Sequence, residues 1–121
     1  MIARGAARRP RRGALARRLV LEERQRLPDG AGGSRGEWVA LGTIWAEMRP
    51  ATGADHRLGG DPGARLRWFI RTRAAPEGSP RRPRPGQRLR EGARAYEVLT
   101  VSELDPRGLW LGITASEEVL R

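Results

Sequence analysis

The sequence contains no cysteine, no lysine and a single histidine. Without cysteine there can be no disulfide, no zinc–thiolate site, no iron–sulfur cluster and no thiol catalysis. No apolar run approaches the roughly 20 residues that cross a bilayer, and the arginine-rich start lacks the apolar block of a signal peptide. We therefore expect a soluble protein that acts, or is assembled, inside a cell.

The lack of lysine means that arginine carries all of the basic charge, and the formal net charge is +10 over 121 residues. A GC-rich genome favours arginine codons, but the charge has physical consequences whatever its origin. It favours a polyanionic partner such as nucleic acid, an acidic protein surface or an anionic membrane. The length allows one domain with a modest core, and such domains often gain stability from neighbouring molecules.

Side chains capable of catalysis are few and scattered. The only histidine, His56, lies in a glycine-rich loop beside Asp55, where a solvated role is expected. Glu22 and Glu23 are adjacent, so on a strand they would point to opposite faces and could not share a proton. No serine occupies a Gly-x-Ser-x-Gly turn, and the DGAGG segment lacks the lysine of a phosphate-binding loop. The sequence predicts a protein that is not an enzyme, without metal or cofactor.

Residues 1–12 are expected to form a flexible basic extension, and residues 13–121 a single domain. Seven arginines precede the first acidic residue, Glu22, and self-repulsion without apolar anchors is typical of disorder. An organellar transit peptide has a similar composition, although this segment lacks serine and has a weak apolar face.

Period-two patterns separated by turn residues predict five or six strands. The central segment, residues 37–49, could form a helix, but its β-branched and aromatic residues and a central glycine favour a long, bent strand. Four prolines in residues 74–87 indicate a stiff loop. The predicted strands are residues 19–22, 37–49, 66–73, a short one at Leu89, 95–102 and 109–114. We expect a mainly β fold, a small antiparallel barrel or sandwich with long loops.

Large aromatic side chains in predicted strands are expected mainly in the core, and all four tryptophans lie in such strands. Trp38, Trp68 and Trp110 are assigned to the core, and Trp68 together with Tyr96 is expected to hold it. Trp45 lies on the opposite face of its strand from Trp38, and we expect it at a subunit interface, where tryptophan is enriched.

Arginines alternate with Phe69 on one face of the strand at residues 66–73. Arg67, Arg71 and Arg73 would form a basic stripe, which is either a solvated outer face or a surface that meets DNA or an acidic subunit. The arginines of the proline-rich loop strengthen the DNA interpretation. The scarcity of interleaved aromatic residues weakens it, because single-strand binding relies on base stacking.

Several segments resemble the head–tail joining (head-closure, stopper or adaptor) proteins of tailed phages and gene transfer agents. The resemblance covers residues 13–117 and is carried by LVLEER, DGAGG, EWVALGTIWAEMRPATG, RLRWFIRTR and RAYEVLTV followed by DPRGLWLGI. Its most specific features are Trp38, Trp45-Ala46, Pro50-x-x-Gly53, Trp68 and Tyr96. The sequence departs from the family pattern in two places. Residues 1–12 extend beyond the usual start, and the position after Gly53, where relatives often carry glutamate, reads Ala54-Asp55.

The resemblance implies a small β-barrel whose copies form a closed ring, of six or twelve copies with six favoured. Such a ring would sit between portal and adaptor proteins on the head side and a tail terminator or tail tube on the other. It would close or line the channel that holds packaged double-stranded DNA, with non-specific phosphate contacts. The protein would be assembled in the bacterial cytoplasm and then reside in the particle, without a membrane partner.

By the same resemblance, the loop at residues 50–63 would reach the DNA channel or the next subunit. Its candidate residues are Asp55, His56 and Arg57, with Arg57 placed nearest DNA. An idle surface loop is the alternative for this segment. The alternative for the whole chain is a small basic nucleic-acid-binding β-barrel.

Overall fold

The computed structural model describes residues 15–51 and 65–118, so the N-terminal extension and the loop with Asp55, His56 and Arg57 lie outside the described residues. The described part consists of strands and connections, without a helix. The strands are β1 (Arg17–Pro28), β2 (Ser34–Pro50), β3 (Arg67–Arg73), β4 (Arg88–Glu91), β5 (Arg94–Glu103) and β6 (Trp110–Glu118).

The strands form one antiparallel sheet in the order β1-β2-β3-β6-β5-β4, and β4 pairs with β1 to close it into a barrel. The mainly β, antiparallel fold predicted from the sequence is confirmed. Closure removes the free strand edges within the barrel that would otherwise pair with other chains. Residues 51–66 connect β2 to β3, which are neighbours in the sheet, whereas residues 74–87 connect β3 to β4, which are not.

The first hairpin is longer than its sequence pattern indicated. The first strand was predicted at residues 19–22, but β1 extends to Pro28, which pairs with Ser34 at the start of β2. Beyond the barrel, β1 and β2 therefore continue as a two-stranded ribbon. β4 pairs with β1 only at residues 20–22. The turn is closed by the Asp29 carboxylate, which accepts hydrogen bonds from the backbone N–H groups of Ala31 (2.8 Å) and Gly33 (3.0 Å).

The apolar side chains inside the barrel come from all six strands. The buried core comprises Leu19, Leu21, Ile44, Ala46, Ile70, Leu89, Tyr96, Val98, Ile113 and Ala115, with Leu41, Met48, Trp68 and Val101 packed against it. Trp68 and Tyr96 meet edge to face with ring centroids 6.0 Å apart. The prediction that these two aromatics contribute to the core is therefore confirmed.

A register shift in the first hairpin changes which residues of β2 face inward. Leu21 pairs with Gly42 whereas Glu22 pairs with Ala40, so Leu41 is an extra residue in β2. Such a bulge reverses the alternation on one side of it. The inward positions are Ile44 and Ala46 beyond the bulge and Leu41 at the bulge itself, whereas Ala40 is exposed.

Two of the three tryptophans assigned to the core lie outside it. Trp38 is only half-buried, and the guanidinium carbon of Arg88 lies 4.3 Å from its ring centroid. Trp110 is also half-buried, because Leu111 and Ile113 point inward and the preceding residue in a strand must point outward. The assignment of Trp38 and Trp110 to the core was wrong for these reasons.

Candidate interaction surface

Four side chains of alternating type form a row across the outside of the barrel. Arg18 of β1 pairs with Trp45 of β2. Ala46 and Thr72 are the terminal pair of the β2–β3 ladder, and Trp45 and Arg73 are the next residue of each strand beyond that pair. Arg73 pairs with Trp110 of β6. We call Arg18, Trp45, Arg73 and Trp110 the arginine–tryptophan row.

Trp110 holds the guanidinium groups of two arginines over its ring. The central carbon of Arg71 lies 4.4 Å from the ring centroid and that of Arg73 lies 5.0 Å away. Arg71 Nε also donates a hydrogen bond of 2.8 Å to Glu47 Oε1. Stacking and pairing together restrict the rotamers of these long side chains, so a partner that binds them would lose less conformational entropy.

Beside the row is a shallow recess of about 220 Å³ lined by Glu47, Arg49, Phe69 and Arg71. The guanidinium carbon of Arg49 lies 4.7 Å from the centroid of the Phe69 ring. The charges of Arg71 and Glu47 cancel, so Arg49 supplies the net charge of the recess. The recess thus continues the cationic and aromatic character of the row.

Apolar side chains lie around the row. Trp45 is 54% exposed, and Leu104 (43%) and Leu109 (48%) are also among the few large exposed hydrophobics of the described residues. The backbone N–H of Leu104 donates to Trp110 O at 2.9 Å, and Leu109 directly precedes Trp110. Exposed apolar residues that cluster in this way mark interaction sites more often than isolated ones do.

Trp45, Arg71 and Arg73 were interface candidates in the sequence, and the structure places all three on the same part of the outer surface. Arg67 lies on the same face of β3 but at its other end, opposite Ser116. Asp55, His56 and Arg57 lie outside the described residues. Sequence reasoning missed Arg18 and Trp110, although each directly precedes an inward leucine, Leu19 or Leu111, and alternation therefore implied an outward position.

Almost all of the described carboxylates form ion pairs or hydrogen bonds within the chain. Every described glutamate except Glu77 lies within 4 Å of an arginine nitrogen. Asp29 and Asp105 accept backbone hydrogen bonds in their turns. The arginines without a carboxylate partner among the described residues are Arg18, Arg24, Arg26, Arg49, Arg67, Arg73, Arg81 and Arg107.

Outside the row, one ion pair is nearly buried. Arg88 Nε donates to Glu22 Oε1 at 2.6 Å, and each side chain is only about 10% exposed. Arg88 also lies 3.6 Å from Glu118. Trp38, from the first hairpin, stacks on Arg88 and so shields the pair. This cluster ties the β1–β2 ribbon to β4.

A second polar cluster lies at one end of the barrel. Trp68 Nε1 donates to Glu117 Oε1 at 2.9 Å, and Arg94 forms two further hydrogen bonds with the same carboxylate. The hydrogen bonds from Arg94 and Trp68 hold the pKa of Glu117 below its usual value. Burial raises the pKa of Tyr96. These residues hold the barrel end in place.

Within residues 15–51 and 65–118, no three histidine or acidic side chains are grouped so that they could hold a metal ion. The same part of the chain contains no helix that is long and apolar enough to cross a membrane.

The described residues thus form a small closed antiparallel barrel with an exposed, cationic and aromatic outer face. Residues 10–118 match the family model described as phage head completion protein. The chain belongs to this family, and the resemblance noted in its sequence is confirmed.

A solved structure described as the virion of a native gene transfer agent (GTA) particle contains a similar chain. The two are 47% identical, with a TM-score of 0.71, over 93% of this chain and 100% of that one. A search of the curated proteins finds no match.

Proposed function

We propose that the protein is a non-enzymatic head-closure subunit of a phage-like particle. The observation that carries this proposal is the 47% identity, over 93% of the chain, with a chain of a gene transfer agent virion. Membership of the head completion family supports a structural part in finishing the head. The protein would be made in the bacterial cytoplasm and retained in the mature particle.

In this proposal, copies of the barrel form a closed ring between the portal–adaptor complex and the tail terminator or tail tube. The ring has six copies in preference to twelve, and identical subunits close it through heterologous contacts. The strands of the barrel close on each other, so subunits would meet there through side chains and loops, whereas the β1–β2 ribbon beyond Glu22 pairs with no other described strand.

The ring would close or line the channel that holds packaged DNA. The net charge of +10 and the eight arginines without a described carboxylate partner support this part of the proposal. Phosphate contacts of this kind are electrostatic and independent of base sequence. The loop at residues 50–63, with Asp55, His56 and Arg57, remains our candidate for the segment nearest the DNA.

The test is to remove the gene from the producing bacterium and to examine the particles by electron microscopy. We expect heads that have packaged DNA but carry no tails and lose DNA on storage. Expression of the wild-type chain in trans should restore tailed, filled particles. Tailed particles with full DNA content in the absence of the chain would refute the head-closure function.

The same unpaired arginines favour a second candidate, a nucleic-acid-binding barrel that acts on its own. Such a protein would bind duplex DNA as a monomer, with an affinity that falls steeply as salt concentration rises. Measurement of binding of the purified chain to a short duplex at several salt concentrations separates the two candidates. Tight, salt-sensitive binding by the monomer, together with normal particles in its absence, would favour this second function.

A further inference from the structure

The arginine–tryptophan row is the most exposed aromatic feature of the described surface, and the barrel itself does not need it. Trp45 is 54% exposed, and Arg18 and Arg73 have no carboxylate partner among the described residues. Tryptophan and arginine are the residues that most often dominate binding energy at protein interfaces. The row lies on a strand face, where the backbone holds its members in fixed register.

We propose that the row binds an acidic surface of a different protein subunit of the particle. In this arrangement, carboxylates of the partner face Arg18 and Arg73, and an apolar side chain of the partner covers Trp45. The inference rests on the proposed connector function, because the assembled particle is what brings other subunits to this face.

The distribution of charge argues against a second copy of the chain as the occupant. Of the described carboxylates, nine glutamates already face arginines, and Asp29 and Asp105 cap their own turns. Glu77 is the remaining described carboxylate. A second copy would therefore bring further arginine to an arginine-rich face, and like charges oppose that contact.

The composition of the face argues against DNA. Trp45, Leu104 and Leu109 expose apolar surface, and duplex DNA offers phosphates on its outside with no unpaired base on which an indole could stack. Glu47, beside the row, pairs with Arg71, so these two side chains offer phosphate no net attraction and are compatible with a protein neighbour. An acidic protein surface with apolar residues complements both the charge and the indoles.

The test uses particles that contain the full chain with Trp45 replaced by the photoreactive amino acid p-benzoylphenylalanine. After illumination of purified particles, mass spectrometry identifies the crosslinked peptide. We expect an adduct with a different virion protein, in a segment where acidic residues outnumber basic ones. An adduct with a second copy of the chain or with packaged DNA, or no adduct in particles that contain the chain, would overturn the inference.

Charge reversal gives an independent readout of the same contact. Arg73→Glu should reduce the number of copies retained per particle by about tenfold or more, as loss of a central interface residue does. Arg26→Glu is the matched control, because Arg26 is also exposed and unpaired among the described residues but lies about 26 Å from Arg18 along β1. It should change retention by less than about twofold, since rim or remote charges contribute little.

Trp45→Ala keeps the test valid if Arg73→Glu folds poorly, because an exposed side chain can be truncated without loss of the core. Melting temperatures of the purified variants establish folding. Equal retention of Arg73→Glu, Trp45→Ala and Arg26→Glu would refute the assignment of the row. Absence of the wild-type chain from particles would instead refute the proposed function, and the inference with it.

Discussion

Arg88 and Glu22 form a 2.6 Å hydrogen-bonded ion pair on the outside of the barrel, although they are separated by 66 positions in the sequence. Both side chains are about 10% exposed. The ring of Trp38 lies over Arg88 and excludes solvent. Removal of Arg88 would leave the nearly buried Glu22 carboxylate with Arg90, 3.9 Å away and largely solvated, as its cationic neighbour. Leaving a buried charge without its close partner is costly.

We therefore expect Arg88→Ala to lower the free energy of unfolding by about 3–5 kcal/mol. The matched control is Arg35→Ala, which removes a partner of Glu37 from an exposed pair with side chains 65% and 40% accessible. That change should cost less than about 1 kcal/mol. Urea unfolding of the purified chain measures both, and equal effects of the two substitutions would contradict the role of the buried pair.

Trp68→Ala should destabilise the barrel by about 3–5 kcal/mol, since it removes a large side chain packed on the core. It also removes the edge-to-face contact with Tyr96 and the hydrogen bond to Glu117. Trp45→Ala, a tryptophan on the outer surface, should change stability by about 0.5 kcal/mol or less. A melting temperature that is unchanged in Trp68→Ala would show that this side chain does not support the core.

Acid should weaken the fold through Glu117. Its pKa in the folded protein lies below the usual 4.5 because Arg94 and Trp68 donate hydrogen bonds to the charged form. A depressed carboxyl pKa gives stability that is present above the unfolded-state pKa and is lost as pH falls through the folded-state pKa. Glu23 and Glu91 shift in the same direction, so the melting temperature should decline below about pH 4.5.

Glu117→Gln tests this assignment, because the amide does not titrate. The variant should be less stable than wild type at pH 7, and its melting temperature should fall less between pH 5 and pH 3. If the variant and the wild type showed parallel declines over that range, other carboxylates would account for the acid sensitivity.

The loop that carries Asp55, His56 and Arg57 gives a prediction that rests on the sequence and its family resemblance. Deletion of residues 54–60 should cause particles to leak DNA or to fail in joining tails, because a channel loop would be lost. His56→Ala is the control and should leave assembly unchanged, since no catalytic role is assigned to that side chain. Full, tailed particles from the deletion would refute the channel assignment while leaving the head-closure function intact.

Much of the fold could be predicted from the sequence because alternation along a strand separates the two faces locally. Alternation placed Arg67, Arg71 and Arg73 on one face of β3, and the intervening Ile70 and Thr72 are buried. The turn residues and the prolines of 74–87 marked the connections. The same patterns, together with the family resemblance, were sufficient to predict an antiparallel β protein that completes a phage-like head.

The tertiary structure decided where the first hairpin changes register and which strands meet. The bulge at Leu41 places Trp38 outside the barrel, and the pairing of β1 with β4 brings Glu22 to Arg88. Alternation defines faces but leaves both the partner strand and the register open, and a slip by one residue exchanges the faces. From the sequence, Trp45 was expected at a subunit interface and Trp110 in the core. Only the order β1-β2-β3-β6 of the closed sheet places both on one outer surface with Arg18 and Arg73.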